Sequence, residues 1–498
     1  MLISALFVIC RRNYPPMQPL SILFLIAAYF GVLLIISYFT GKGSDDNAAF
    51  FKANRQSPWY LVAFGMIGAS LSGVTFISVP GWVEESQFSY MQVVFGYMVG
   101  YFVIGAVLMP LYYRMNLTSI YTYLESRFGV YSYKTGASFF LVSRLVGSAF
   151  RLFLVANVLQ IILFDALDIP FWLTVVMTIA LIWIYTFKSG IKTIVYTDTL
   201  QTLCMLIAVG MSIYYISDDL GIQGADLVSH ISNSGLSRMF FFDDIRSADF
   251  FWKQFISGAF IAIVMTGLDQ DMMQKNLTCR NLKDAQKNMF WFTIVLTFVN
   301  LLFVSLGVLL TEYARTNGID ASKDDLFPVI ATQSGMGMGM AVFFVLGIIA
   351  AAYSSADSAL TALTTSFSID ILDIEKKYEK RKQESIRKQI HIGVSVVLIL
   401  VIIAFKYVIK DESVIAKLFV LAGYTYGPLL GMYSFGLFTN WQVKDKLVPV
   451  VAILSPILCY IISINSLIWF GFEFGFFVLI LNGLLTFLGL ILIRTKHH

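Results

Sequence analysis

Gly65-Met-Ile-Gly68-Ala-Ser70-Leu71-Ser72-Gly73-Val-Thr75-Phe76-Ile-Ser78-Val-Pro80-Gly81 is an apolar run of helix length interrupted by glycines, hydroxyls and a proline. Glycine disfavours a helix interior, and proline removes a backbone hydrogen bond from it. A helix that breaks at membrane depth frees carbonyls and amides, which is tolerated only where that backbone is buried in protein or lines a cavity. Composition sets the membrane context: 58% of residues are hydrophobic and 13% charged, and the mean hydropathy is +0.75. A spanning helix needs about 20 mainly apolar residues. Runs of that length recur between short polar loops, so the expectation is an all-α integral membrane protein rather than a barrel. A net charge of +4 on so apolar a chain gives no reason to expect nucleic acid as a partner.

Thirteen spans are expected, near residues 18–40, 57–82, 88–112, 136–164, 169–187, 191–217, 250–274, 286–313, 337–372, 389–409, 414–440, 447–465 and 468–493. Odd parity places the termini on opposite sides. If the loop holding Lys42, Lys52 and Arg55 is cytoplasmic, that side collects most loop Lys and Arg, including Lys376, Lys377, Lys380, Arg381, Lys382, Arg387 and Lys388. The positive-inside rule then sets the N-terminus outside and the C-terminus in the cytoplasm, with Arg11 and Arg12 dissenting. Met1 to Cys10 is too short to span and lacks basic residues before its apolar core, so Met17 is an alternative start. No hydrophilic stretch is long enough for a separate domain, and residues 1–498 read as one membrane domain.

The seventh span repeats the pattern of the second, with Ser257-Gly258 and then Thr266-Gly267-Leu-Asp269-Gln270-Asp271. Small residues also serve close helix packing. Their placement adds something further, because one breakable helix opens spans two to six and the other opens spans seven to eleven. That is the layout of an inverted repeat in secondary transporters, with substrate held at the midplane. The ninth span carries Gly347-Ile-Ile-Ala-Ala-Ala-Tyr-Ser-Ser-Ala-Asp-Ser-Ala-Leu360. At 100° per residue Ser354, Asp357, Ser358 and Thr361 share a face, with Ser355 beside them. Such a face offers oxygen ligands to a small cation. Arg144 and Arg151, seven apart on the fourth span, also share a face.

The run from Gly65 to Pro80, Tyr196-Thr197-Asp198-Thr-Leu-Gln201, Gly267-x-Asp-Gln-x-x-x-Gln274 and Ala350-Ala-Ala-Tyr-Ser-Ser-x-x-Ser358 together resemble the sodium:solute symporter family, including its sodium/sugar and sialic-acid transporters. After Gln274 that family usually has Arg, where this chain has Lys275. The resemblance covers nearly the whole chain. It implies a LeuT-type fold with a 5+5 inverted repeat: residues 18–40 as a peripheral helix, 57–217 and 250–440 as the two repeats, and 447–493 as two further peripheral helices. It also implies a sodium ion held by carbonyls of Gly68, Leu71 and Ala351 and by the hydroxyls of Ser354 and Ser355. Neutral oxygens suit a hard cation.

Members similar to the sialic-acid transporters hold a second sodium, so one or two sodium ions are expected. The matching positions here are Asp198 and Ser358, with Asp357 standing where a hydroxyl is usual. That carboxylate strengthens a cation site, binds a proton or pairs with a basic residue, while Asp198 has Lys192 as an alternative partner. Ser72, Thr75 and Tyr97 match substrate-contacting positions, and Arg144 or Arg151 offers a bidentate clamp for an anion. Pairing of an arginine with Asp357 or Asp198, or snorkelling, is the structural alternative.

Other features carry less. Cys10, Cys204, Cys279 and Cys459 lack metal or redox spacing. His230, His391, His497 and His498 form no catalytic cluster. Gly335-Met-Gly-Met-Gly-Met340 reads as the start of the ninth helix, and Glu375 to Lys388 as a solvated connector. Asn116-Leu-Thr and Asn276-Leu-Thr match a glycosylation pattern by chance in cytoplasmic loops. The expected function is sodium-coupled import of a small polar organic solute across the cell membrane by alternating access, anionic by slight preference, in a protein that is monomeric and not an enzyme. Sodium/sugar or sodium/amino-acid symport, a transporter-like sensor and a channel are the alternatives.

Overall fold

The computed structural model describes residues 19–40, 55–186, 190–222, 224–321, 323–408 and 414–495. The alternative start, Arg11, Arg12, Lys42, Lys52, Cys10, His497, His498 and the side chain of Lys192 lie outside what is described. Among the described residues the regular structure is helical, with no strand. The principal helices are α1 (Pro19–Thr40), α2 (Trp59–Ser70), α3 (Gly73–Ser86), α4 (Tyr90–Val103), α5 (Val130–Leu159), α6 (Phe171–Thr186), α7 (Gly190–Asp219) and α8 (Phe251–Ala262). They continue with α9 (Gln270–Asn276), α10 (Leu282–Asn317), α11 (Met338–Ser366), α12 (Lys380–Val408), α13 (Val414–Phe438), α14 (Val448–Ile464) and α15 (Val478–Leu492).

Among the described residues nine helices are long and apolar enough to cross a membrane, or eleven spans when each of two bent pairs counts as one. The other two expected spans, 169–187 and 414–440, fall on α6 and α13, each of which adjoins residues outside those described. Both expected breaks are present. α2 and α3 meet at 57° across Leu71 and Ser72, whose backbones leave the helical region (Leu71 ψ 80°, Ser72 ψ 175°). The helix from Phe251 to Gly267 meets α9 at 70° across Leu268 and Asp269. Asp269 caps α9, accepting from the amides of Asp271 at 3.0 Å and Met272 at 3.3 Å. An acidic N-cap supplies acceptors to amides that the break would otherwise orphan.

Packing places these breaks at the centre. α7 runs along α11, and α13 runs along α5, so the last helix of each five-helix group lies on the third helix of the other. α11 touches both halves of the first broken helix. Phe76 on α3 is fully buried, with its ring 5.2 Å from Phe327 and 5.9 Å from both Phe303 and Phe344, which pins the helix after the break to its neighbours.

α4 and α8 cross through two glycines. A Cβ on Gly96 would stand 2.0 Å from the Phe255 carbonyl oxygen, and one on Gly258 2.1 Å from that of Val93. Backbone cannot move aside as a side chain can, so Gly258→Ala is expected to cost about 1–3 kcal/mol. Thermal unfolding in detergent should show a lowered midpoint for this variant, and for Gly96→Ala, but not for Gly105→Ala, where a Cβ meets open space.

Candidate cation and substrate sites

The break in the first helix releases carbonyls of its last turn from helical pairing. Gly68 sits in that turn against α7 and α11: a Cβ there would lie 2.2 Å from Thr202 Oγ1 and 3.4 Å from Ser354 Oγ. Only glycine lets this backbone approach so closely. Leu71, Ala351, Ser354 and Ser355 are all within 1% of full burial. Ser354 Oγ donates to Asp198 Oδ1 at 2.8 Å, which commits its proton and leaves oxygen lone pairs free. Ser355 Oγ is buried without any hydrogen-bond partner. A buried hydroxyl left unsatisfied costs about 1–3 kcal/mol.

The three residues expected to frame a second cation are also brought together, around an ammonium that the sequence pattern did not place there. Lys275, on α9, reaches across with its Nζ 2.7 Å from Asp198 Oδ2 and 2.7 Å from Ser358 Oγ. Ser358 Oγ in turn lies 3.3 Å from Asp357 Oδ1, and Asp357 is within electrostatic reach of the same ammonium. Lys275 is 1% exposed and Asp198 fully buried, so each charge needs the other at this depth. Lys275, in the place where the family usually has Arg, therefore supplies Asp198 with an ion-pair partner on another helix.

Arg144 and Arg151 separate into different roles. Arg144 pairs with Asp271 and stands 3.7 Å from Asp269 Oδ2, while Tyr426 donates to that same oxygen at 2.6 Å. The expected alternative partners, Asp357 and Asp198, are not the ones it takes. Arg151, one turn pair further along α5, is buried and has no acidic partner among the described residues, and its Nε lacks a hydrogen bond. Both arginines line one cavity with Ser72, Thr75 and Tyr97, so all five expected substrate residues meet. Ser70, Tyr90, Tyr101 and Asn300 add polar groups that the sequence did not single out. The space is about 670 Å³ with its open mouth included.

The remaining expectations resolve simply. Asn276 is buried, donates to the Met272 carbonyl at 3.1 Å and accepts from Asn288 at 2.5 Å, so it is no glycosylation acceptor. Cys204, Cys279 and Cys459 are free thiols. No group of three or more His, Cys, Asp and Glu with metal-binding geometry occurs among the described residues.

A profile of the Sodium:solute symporter family matches residues 50–441. The chain belongs to that family. It is thus a multi-pass membrane transporter that couples sodium to solute movement, and not an enzyme. The sodium/sialic acid symporter NanT of Aliivibrio fischeri is 24% identical over 493 residues, spanning 92% of this chain and 91% of that one. Sodium-coupled monocarboxylate transporter 2 of the mouse is 23% identical, over 84% and 68% of the two chains. In fold, the symporter is similar to a substrate-bound, outward-open Na+-coupled sialic acid symporter, with a TM-score of 0.79 at 17% identity over 96% of this chain and 99% of that one. MHP1, a nucleobase-cation-symport-1 family transporter, has a TM-score of 0.58 at 14% identity over 89% and 93%. These likenesses support the LeuT-type architecture.

The Arg144 cluster is structural in its demands. Removing one member of a buried ion pair costs about 3–5 kcal/mol, because its partner is left uncompensated. Arg144→Met should lower the unfolding midpoint in detergent sharply, and adding Asp271→Asn should recover part of the loss.

Proposed function

We propose that this symporter imports a small organic anion, of the sialic acid or carboxylate class, together with sodium held by Gly68, Leu71, Ala351, Ser354 and Ser355. The observation that carries the anion is Arg151. It is a guanidinium in a membrane protein's interior with no acidic partner among the described residues, facing a cavity rich in hydroxyls. Such a charge is costly unless something pairs with it, and a carboxylate is the bidentate match to its fork. Arg144 cannot serve equally, since Asp271 already neutralises it. Relatives carry names that point the same way: sialic acid symporters, monocarboxylate transporters and the human sodium/iodide cotransporter all take anions by name. A neutral sugar would use Ser72, Thr75 and Tyr97 but leave Arg151 unanswered.

Coupling follows from linkage. Sodium bridging the released carbonyls of α2 and the hydroxyls of α11 stabilises one arrangement of the broken helix, and the same arrangement sets Ser72 and Thr75 against the solute. Two ligands that prefer one state raise each other's affinity by a common factor. The proposed transport unit is a monomer. The loop Lys and Arg asymmetry supports an external N-terminus and a cytoplasmic C-terminus.

In proteoliposomes with an inward sodium gradient, uptake should be found among sialic acids or small carboxylates and not among neutral sugars. Ser355→Ala should abolish the sodium dependence. Arg151→Gln should raise KM about 10–100-fold, as expected for losing a charged hydrogen bond worth about 1.5–3 kcal/mol. Unchanged gradient-driven uptake by Ser355→Ala would remove the sodium assignment, and an unchanged KM in Arg151→Gln would remove the anion assignment.

A further inference from the structure

We propose that a groove between α4 and α10 holds one anionic phospholipid, with an acyl chain along the groove and the phosphate at Lys283 and Lys287. The site is separate from the solute cavity and the cation residues, and it does not depend on what the symporter carries.

α4 does not run on as a plain α-helix. After Val103 it passes through a wider π turn, Ile104–Leu108, before α-helix resumes over Met109–Arg114. Such turns recur at functional sites. Here the turn carries Gly105 and Ala106, which have almost no side chain, and a Cβ built on Gly105 meets open space. The result is a groove of about 810 Å³, counting its open side, lined by these two residues, by Gln286 and Ile294, and by the exposed rings of Phe102 and Phe290. Gln286 Nε2 donates to the Gly105 carbonyl at 2.9 Å, which answers a backbone oxygen of the irregular turn within the protein. Both helices follow the groove for about 12 Å at 1.5 Å per residue, most of the roughly 15 Å depth of one leaflet's hydrocarbon.

Charge at one end distinguishes this groove from an ordinary lipid-facing hollow. Lys283, Lys287, Phe290 and Ile294 are spaced four, three and four apart, so they share one face of α10 and the two ammonium groups continue the groove-lining stripe. Arg280 and Arg114 stand at the same end, since the Tyr113 hydroxyl donates to the carbonyls of Asn276 at 3.0 Å and Cys279 at 3.2 Å and so joins the two segments. All four basic side chains are exposed, and none enters an ion pair or hydrogen bond among the described residues. Residues 280–287 contain a single acid, Asp284.

A second groove of similar size, about 790 Å³, lies among α5, α11 and α12 and is lined by Leu141, Phe367 and Gly393. Its neighbouring lysines are already answered: Lys134 by Asp373 at 2.8 Å and Lys388 by Glu384 at 2.6 Å. Only the α4–α10 groove joins an apolar trough to unanswered positive charge among the described residues, and a lipid with net negative charge complements both parts. A zwitterionic lipid fills the trough equally but brings its own cation to the lysines.

Native mass spectrometry of the purified full-length protein, titrated with phosphatidylglycerol or with phosphatidylcholine of the same acyl chains, tests the site. The wild type should hold one phosphatidylglycerol about 25-fold more tightly than phosphatidylcholine, about five-fold for each lysine at the surface. Lys283→Gln with Lys287→Gln should erase that preference while leaving phosphatidylcholine binding unchanged, and Lys287→Gln alone should remove about five-fold of it. Gly105→Leu fills the trough and should weaken both lipids. Lys376→Gln with Lys377→Gln removes as much charge elsewhere and should leave the preference intact. Equal affinity of the wild type for the two lipids would overturn the proposal. So would a preference that survives in the folded Lys283→Gln, Lys287→Gln protein, one lost equally in the Lys376→Gln, Lys377→Gln control, or wild-type binding by Gly105→Leu.

Discussion

A charge carried into the interior of a membrane protein has to be answered within a few ångströms, and most of what is particular about this molecule follows from how its buried charges are answered. Asp198, Asp269, Asp271 and Asp357 are all buried, as are Arg144, Arg151 and Lys275. Arg144 answers Asp271 and Asp269, and Lys275 answers Asp198. Both arrangements run through the second broken helix, which is held from one side by α5 and from the other by α7 and α11. The helix that must bend is thus the one whose position is fixed by charge.

Arg151 is left over from that pairing. Its burial without an acidic partner is tolerable where a cavity admits water or an anion, and the cavity it lines opens beside the first break. The two breaks then divide the work. The first presents freed carbonyls and the small residues Gly68, Ser72 and Thr75; the second presents charges that lock the surrounding helices. Each break frees backbone polar groups that lipid cannot satisfy, so both must be enclosed by neighbouring helices or line a cavity.

Much of this was legible in the sequence, and the limits are instructive. That the second and seventh spans break was readable because glycines and polar residues clustered in an apolar run weaken a helix, while the points of breakage, Leu71-Ser72 and Leu268-Asp269, came from the structure. The serine face of α11 was readable from helical period alone. Pairings were not, because period says which residues share a face but not which faces meet. Lys275 stood out only as a departure from the family's arginine, and its reach to Asp198 depends on the 70° bend before it. The signal available was arithmetic: four acids at membrane depth demanded cations, and Lys275 was the nearest one beyond the break. Arg144 and Arg151 looked equivalent on one helix face and were separated only by the position of Asp271 on a different helix.

The backbone contact between α4 and α8 has a bearing on how the molecule can move. Where Gly96 and Gly258 bring two main chains together, no side chains remain to act as bearings, so these helices neither slide nor roll past each other. They travel as one welded block. Rearrangement must then be taken up elsewhere, along a seam where polar groups face each other and can trade partners for water or ions. The walls of the cavity, where Arg151, Ser72 and Thr75 face open space, meet that description.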